Sequence, residues 1–283
     1  SKMIAICPNP FRDCELKYSI EAAEMLRAAG YETAICPVFA DEAPGVIPES
    51  VSVTALETVR DKCSLAVVIG GDGTILAVAR QLHNANIPIL GVNLGSKGFM
   101  AALEPEHMSL LVKAAAGEYR ISPRMMLEVE LERNGDIIYR DRVLNDVVLH
   151  GYGDCIKLTV WCEKDKMTSF SGDGIIISTP TGSTGYSMSA GGPIVEPEAA
   201  AVVVSPICAH MMSARSYVLS AAHEVTVLAE KLHSRRAYIS ADGNSVMDLA
   251  NGDIVRVHRS ERNILMADMG LKSFFELTYE KLT

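Results

Sequence analysis

The sequence predicts an α/β N-terminal domain, an open parallel sheet with helices on both faces, followed by a β-rich, mostly antiparallel C-terminal domain. Three observations carry this. Through residue 117, short apolar runs without polar alternation take turns with segments of helical spacing, as in a buried parallel sheet crossed by helices. After Pro123 the period changes to two: residues 125–133 alternate apolar and charged, Asn134-Gly135 follows, and 136–139 returns, a β-hairpin. From Ser273 to Leu282 helical spacing comes back. The expected division is residues 1–122 and 123–270.

Taken in order, 3–8 is a strand of apolar residues, broken by Pro8-Asn9-Pro10. Leu16, Ile20, Ala23, Met25, Leu26 and Ala29 mark a helix over 15–29, stopped by Gly30. A strand at 31–38 ends in a Pro-rich loop at 41–48, and Leu56 and Val59 suit a short helix. Residues 65–69, Leu-Ala-Val-Val-Ile, are a buried parallel strand that runs into Gly70-Gly71-Asp72-Gly73-Thr74. A helix begins near Thr74 and runs to 85, a strand occupies 87–93 and a helix 106–117. In the second half, strands are expected at 143–149, 155–163, 166–170, 174–178, 202–205, 217–220, 224–229, 236–240, 253–259 and 262–266.

The composition narrows the function classes. Of the 283 residues, 48% are hydrophobic and 22% charged, ordinary for a globular chain. Apolar runs stop short of the roughly 18–20 residues a membrane span needs, and the N-terminus reads directly into a strand rather than a signal peptide. Seven cysteines, with no Cys-x-x-Cys pair and no zinc spacing, point to reduced, mostly buried thiols in a cytoplasmic protein. The net charge of −9 argues against non-specific nucleic-acid binding and requires an anionic substrate to be met by local donors.

Four stretches carry chemistry. Three glycines within Gly70–Gly73 allow positive φ and close approach of a ligand, and the free N–H groups of the following helix point at the same place. Asp72 is its single charged side chain, which suggests a base or metal partner beside a phosphate; the bland alternative is an N-terminal cap. Residues 172–193 set a buried strand, 174–178, against a loop from Thr179 to Ser189 that is rich in hydroxyls and glycine and lacks positive charge. Such a loop suits a nucleoside or sugar, with Tyr186 as a stacking face. Asn145-Asp146, a polar pair inside an apolar strand, suggests a hold on ribose hydroxyls or, equally, a bulge. Ala241-Asp242-Gly243-Asn244 reads alone as a hairpin turn.

Together these stretches resemble the NAD kinase family, ATP–NAD 2′-phosphotransferases. The matching pieces are Gly70–Thr74, Gly91-Val-Asn-Leu-Gly-Ser-Lys-Gly-Phe99, Asn145-Asp146, the block 172–193, His210 with Arg215, and Asp242-Gly243. The resemblance implies Asp72 as proton acceptor or orienting carboxylate for the 2′-hydroxyl of the adenosine ribose. It implies NAD contacts from Asp72, Gly73, Phe99, Asn145, Asp146, Asp173, Thr184, Gly185, Tyr186, Ser187, Met188, Ser189 and Asn244. Gly70, Gly71, Gly73 and Thr74 would make room for the phosphates of ATP, with Mg²⁺ carried by those phosphates. It further implies that the helix at 271–283 completes the first domain, and that the protein is a homodimer or homotetramer whose sites a neighbouring subunit completes. This chain departs from the family pattern at Asp146 (usually Glu), Gly185 (usually Ala), Ser171 (often basic), Ala209 and Ser216 (usually Pro).

Diacylglycerol, sphingosine and, in related form, phosphofructo-kinases share the Gly-Gly-Asp-Gly loop but lack the Thr-Pro-Thr-Gly-Ser-Thr block at 179–184. A catalytically idle NAD(P) sensor is the alternative outside enzymes, and it has no need of Asp72.

Overall fold

The computed structural model describes residues 3–43, 45, 47–49, 51–96 and 98–283. Pro44 and Val46 of the expected Pro-rich loop, and Lys97 of the 91–99 motif, lie outside the described residues. Internal contacts divide the chain into two compact units, Ser1–Pro123 with Ile264–Thr283, and Arg124–Asn263.

In the first unit the strands are β1 (Met3–Pro8), β2 (Glu32–Ile35), β3 (Cys63–Gly70) and β4 (Ile89–Asn93), and the helices α1 (Lys17–Ala28), α2 (Leu56–Val59), α3 (Asp72–Leu82) and α4 (Leu111–Ala115). The strands lie in the order β2-β1-β3-β4, each pair parallel. Ile4, Ile6, Leu65, Val67, Ile69, Leu90 and Val92 form one core with Ala22, Ala23 and Leu26 of α1 and Leu111 and Ala114 of α4. The intervening residues of the same strands, such as Ala5, Ala66 and Val68, are equally buried. Helix α3 buries Ile75, Val78, Ala79 and Leu82 and packs against β3 and β4. Both faces of the sheet are therefore covered, which is why these strands read as unbroken apolar runs. The helix expected at 106–117 is a 3₁₀ stretch, Pro105–Leu110, followed by the single turn of α4.

The second unit contains β5 (Arg120–Arg133), β6 (Asp136–Val143), β7 (Asp146–Gly151), β8 (Ile156–Cys162), β9 (Asp165–Gly172), β10 (Gly174–Ser178), α5 (Tyr186–Ser189), β11 (Ala201–Ile207), β12 (Tyr217–Ser220), β13 (Val225–Glu230), β14 (Ala237–Ala241), β15 (Asn244–Asp248) and β16 (Ile254–Asp268). Strands β5 and β16 each carry the chain from one unit into the other. One antiparallel sheet has the order β12-β11-β10-β7-β14-β15. The other places β9, β8, β13, β16, β5 and β6 side by side. Alternate residues of both sheets, among them Val147, Leu149, Ile175 and Ile177 on one and Leu158, Val160, Val225 and Val227 on the other, share a core. Val148 and Ile176, one residue out of step, lie on the opposite face with Ile207, where Ala190 covers them.

Three sequence expectations change here. The strand expected at 143–149 is two: β6 ends at Val143 and β7 begins at Asp146, because the intervening N–H groups bond to Asp242 instead of a neighbouring strand. The strands expected at 253–259 and 262–266 are one, β16, which stays extended through Ser260, whose hydroxyl bonds Glu128 at 3.0 Å. After the turn at Asp242-Gly243 the polar stretch Asn244–Asp248 forms a strand the sequence had not signalled.

The last helix, α6 (Phe274–Leu282), belongs to the first unit and is capped by Ser273, whose hydroxyl accepts the Glu276 N–H at 3.1 Å. It buries no residue; Phe275 is 69% exposed and Tyr279 72%. Among the described residues, no helix is long and apolar enough to cross a membrane. All seven cysteines are free. Cys7 and Cys36 are buried and burial pushes both thiols up, Cys36 to about 12. Cys14 and Cys208 are exposed, against the expectation of mostly buried thiols.

Candidate functional site

In the first unit the site grows from the end of β3. Val67, Val68 and Ile69 are fully buried, and the strand stops at Gly70, where an added Cβ would fall 2.5 Å from Thr74 Oγ1. Gly71 is the N-cap of α3 in an extended conformation (φ −123°, ψ −171°), so the helix begins at Asp72, two residues earlier than expected, and Asp72 is not the cap. None of Gly70, Gly71 and Gly73 has positive φ. Their value is space. Beside Gly71 and Gly73 an added Cβ would meet nothing within 4 Å. Thr74 Oγ1 accepts from Gly71 N–H at 3.4 Å and from Asn9 Nδ2 at 3.2 Å, which ties the loop to the end of β1.

The Asp72 carboxylate is fixed from the other side. It accepts the N–H of Phe99 at 2.8 Å and of Met100 at 3.2 Å. Gly98 makes this possible, since a Cβ there would lie 2.0 Å from Asp72 Oδ1. A cavity of about 400 Å³ opens over the helix N-terminus, lined by Asn9, Arg12, Phe39, Gly71, Asp72, Gly73, Thr74, Ser96 and Gly98. The free N–H groups of the first turn and the positive end of α3 face an anion-sized space. Phe99 stands outside this lining, and its ring carries the Lys281 ammonium of α6 3.9 Å from its centroid.

In the second unit a separate group of predicted residues comes together at the ends of β7, β10 and β14. Asp242, at the turn between β14 and β15 (φ +48°, with Gly243 at +81°), accepts the N–H groups of Leu144 at 2.8 Å, Asn145 at 2.7 Å and Asp146 at 3.2 Å. Its carboxylate is a clamp on backbone. From the other side Thr179 docks on the same segment, its N–H reaching the Asn145 carbonyl at 2.9 Å. Gly182 lies so close that a Cβ would be 2.2 Å from the Asn145 carbonyl oxygen. Asn145 and Asp146 are thus held by main chain, with their side chains left over. Asn145 Oδ1 is buried without a hydrogen-bond partner. Asp146 is only 6% exposed, and its carboxyl is pushed up to about 7 by burial and then by the charge of Asp242.

Tyr186 closes the group. Burial raises its hydroxyl, and Tyr238, Cys208, Asp173 and Asp146 lie near enough to raise it further. Sequence reasoning had named Tyr186, Asp173 and Asp146 but not Tyr238, which sits on β14 out of any motif. The loop expected at 179–189 is compact: a 3₁₀ turn, Thr181–Thr184, then the single turn α5. Thr181, Gly182, Ser183 and Ser187 are buried. Ser187 turns inward, its hydroxyl 3.4 Å from that of Ser205, while Thr184 bonds back to the Thr181 carbonyl at 3.3 Å. Gly185 and Met188 are partly covered; Ser189 and Asn244 are exposed. The Ser216 hydroxyl lies within hydrogen-bond distance of that of Ser205, at 2.9 Å. His210 Nδ1 is 3.7 Å from Cys155 Sγ.

Residues 13–119 match the family model for the ATP-NAD kinase N-terminal domain, and residues 122–269 that for the ATP-NAD kinase C-terminal domain. The NAD kinase of Geobacter metallireducens is 41% identical over 231 residues, which cover 80% of this chain and 81% of that protein. The NAD kinase of Acetivibrio thermocellus is 33% identical over 282 residues, 99% of this chain and 96% of its own. Among solved structures, yeast NADH kinase complexed with NADH shares the fold, with a TM-score of 0.86 at 24% identity over 99% of this chain and 87% of that one.

Proposed function

The chain belongs to the NAD kinase family and is an ATP:NAD 2′-phosphotransferase that makes NADP, and from that premise we propose that Asp72 is the carboxylate that orients and deprotonates the acceptor hydroxyl. The 2′-hydroxyl oxygen of the adenosine ribose attacks the γ-phosphorus of ATP. The bond from that phosphorus to the β–γ bridging oxygen breaks, ADP leaves, and the hydroxyl proton passes to Asp72. A ribose hydroxyl is a poor nucleophile at neutral pH, so a carboxylate within hydrogen-bond reach is needed. The observation that carries this is the anchoring of Asp72 by Phe99 and Met100 at the N-terminus of α3. Two N–H donors fix its orientation, and a carboxylate with about four acceptor sites keeps others for substrate.

Asn145 and Asp146 hold ribose hydroxyls in this reading. It is supported by the unpartnered Asn145 Oδ1 and the raised Asp146 carboxyl, since burying such groups is costly unless a ligand satisfies them. Asp173, Tyr186 and the turn from Thr184 to Ser189 contribute the rest of the dinucleotide contacts, with Gly73, Phe99 and Asn244. Gly70, Gly71, Gly73 and Thr74 receive the donor's phosphates.

Among the described residues no group of three or more His, Cys, Asp or Glu side chains is placed to hold a metal ion. The oxygen-bearing lining of the cavity, Asn9, Asp72, Thr74 and Ser96, suits a hard cation carried mainly by substrate phosphates, as Mg²⁺ usually is. Bound there, Mg²⁺ would neutralise charge on the transferring phosphoryl group. A homo-oligomer is supported by β12, an edge strand with exposed Tyr217 and Val218, and by Met212, five residues before Tyr217, at 97% exposure. Seven free thiols support a cytoplasmic setting.

The test is a coupled assay for NADP from NAD, ATP and Mg²⁺, with NAD affinity measured alongside. Asp72→Asn is expected to abolish turnover and leave NAD binding largely intact. Near-normal turnover in that variant sinks the assignment of Asp72.

A further inference from the structure

Phosphoryl transfer needs charge neutralised, yet Gly70–Thr74 contains no lysine or arginine, and its one charge, Asp72, repels a triphosphate. The structure assigns a cation to this place that the sequence motifs do not contain. We infer that Arg12 is the guanidinium that grips the donor's phosphates over the N-terminus of α3. The inference rests on the kinase reading above and names a residue outside it.

The geometry is built. After β1 the chain turns tightly: Asn9 N–H bonds the Ile69 carbonyl at 2.9 Å, the Phe11 N–H bonds Asn9 Oδ1 at 3.0 Å, and the Arg12 N–H bonds the Asn9 carbonyl at 3.0 Å. This pins the Arg12 backbone to the end of β3, one residue before Gly70. The side chain is steered by one further bond, from Nη1 to the Leu94 carbonyl at 3.1 Å. Gly95 permits that approach: it sits at φ +113°, and a Cβ there would fall 2.2 Å from Nη1. A guanidinium has five N–H donors in a planar fork, and this one spends a single donor on Leu94 among the described residues. Arg12 lines the same cavity as Gly71, Gly73 and Thr74. Among the described lining residues Arg12 is the only cation and Asp72 the only anion. Arg adds a full positive charge in a planar fork that meets phosphate oxygens two at a time, where the glycine loop and the helix terminus offer only neutral N–H groups.

Three substitutions in the full-length protein test this, Arg12→Gln, Arg12→Lys and Arg12→Ala. Each is assayed with ATP and NAD varied separately, and ATP binding is measured by calorimetry without NAD. Arg12→Gln is expected to lower kcat/KM for ATP about a hundredfold or more and ATP affinity at least about tenfold, with KM for NAD within about twofold of wild type. Arg12→Lys should fall between, keeping the charge and losing the fork. Added guanidinium should restore part of the activity of Arg12→Ala, which a merely structural role would not allow. ATP affinity and kcat/KM within about twofold of wild type in Arg12→Gln would overturn the inference. So would a matching rise in KM for NAD with a lowered melting temperature and no rescue. If the wild type makes no NADP, the kinase reading fails, while the difference in ATP affinity still decides Arg12.

Discussion

The Asp242 carboxylate accepts the backbone N–H of Asn145 at 2.7 Å, across 97 residues of sequence. With Leu144 and Asp146 bonded to the same carboxylate, one side chain replaces the strand ladder where β6 gives way to β7. Asp242→Ala leaves three N–H groups without acceptors. The expected cost is about 2–4 kcal/mol in denaturant unfolding, together with a raised KM for NAD. Asp242→Asn keeps one acceptor oxygen and should lie between. A stability unchanged in Asp242→Ala would remove the clamp from the account.

Asp146 gives the protein a pH dependence of its own. Its carboxyl lies at about 7 in the folded chain against an ordinary value of 3.8, so the folded state holds this proton more tightly than the unfolded state. Stability from this group is present in full below the ordinary value and is lost as pH rises through about 7. The loss amounts to roughly 4 kcal/mol by linkage. Asp146→Asn should therefore gain stability over the wild type progressively between pH 4 and pH 8, about the window of that shift. Parallel curves for the two proteins would show that Asp146 is not held as described.

Two adjacent glycines should separate packing from binding. Gly70→Ala drives a methyl into Thr74 and is expected to cost about 1–3 kcal/mol as well as activity. Gly71→Ala meets only open space, so its melting temperature should stay close to wild type while the methyl intrudes where phosphate binds and KM for ATP rises. Equal thermal losses in both variants would contradict this.

Lys281 occupies the face of the Phe99 ring. If that ring receives the adenine, the ammonium competes with it, and Lys281→Ala should lower KM for NAD about two- to fivefold, the worth of an exposed cation–π contact. A KM that rises instead would place the lysine among the ligands of NAD.

How legible this was in the sequence depends on the range of the forces involved. Strand β3 and its glycine loop were visible because a buried parallel strand leaves an apolar run ending at a turn, and the Asn134-Gly135 hairpin because both residues adopt positive φ (+53° and +88°). The apposition of Asp146, Asp173 and Tyr186 was expected from resemblance and not from spacing. The break at Leu144-Asn145 was hidden, since its cause is a carboxylate nearly a hundred residues away that reads locally as a turn. Arg12 escaped for a related reason. An exposed arginine in a loop has no periodicity, and its direction is set by the Leu94 carbonyl and by the bare Cα of Gly95.

The 2.0 Å separation between a would-be Cβ at Gly98 and Asp72 Oδ1 has a genetic corollary. Residue 98 has no chemical role in the proposed reaction, yet a side chain there displaces the carboxylate that takes the proton. In a saturation library scored for NADP production, positions 72 and 98 should fall silent together, and suppressors of a residue 98 lesion should not arise at position 72. The dead zone for mutation then extends from the motif into a loop 26 residues downstream, set by the radius of one methyl group.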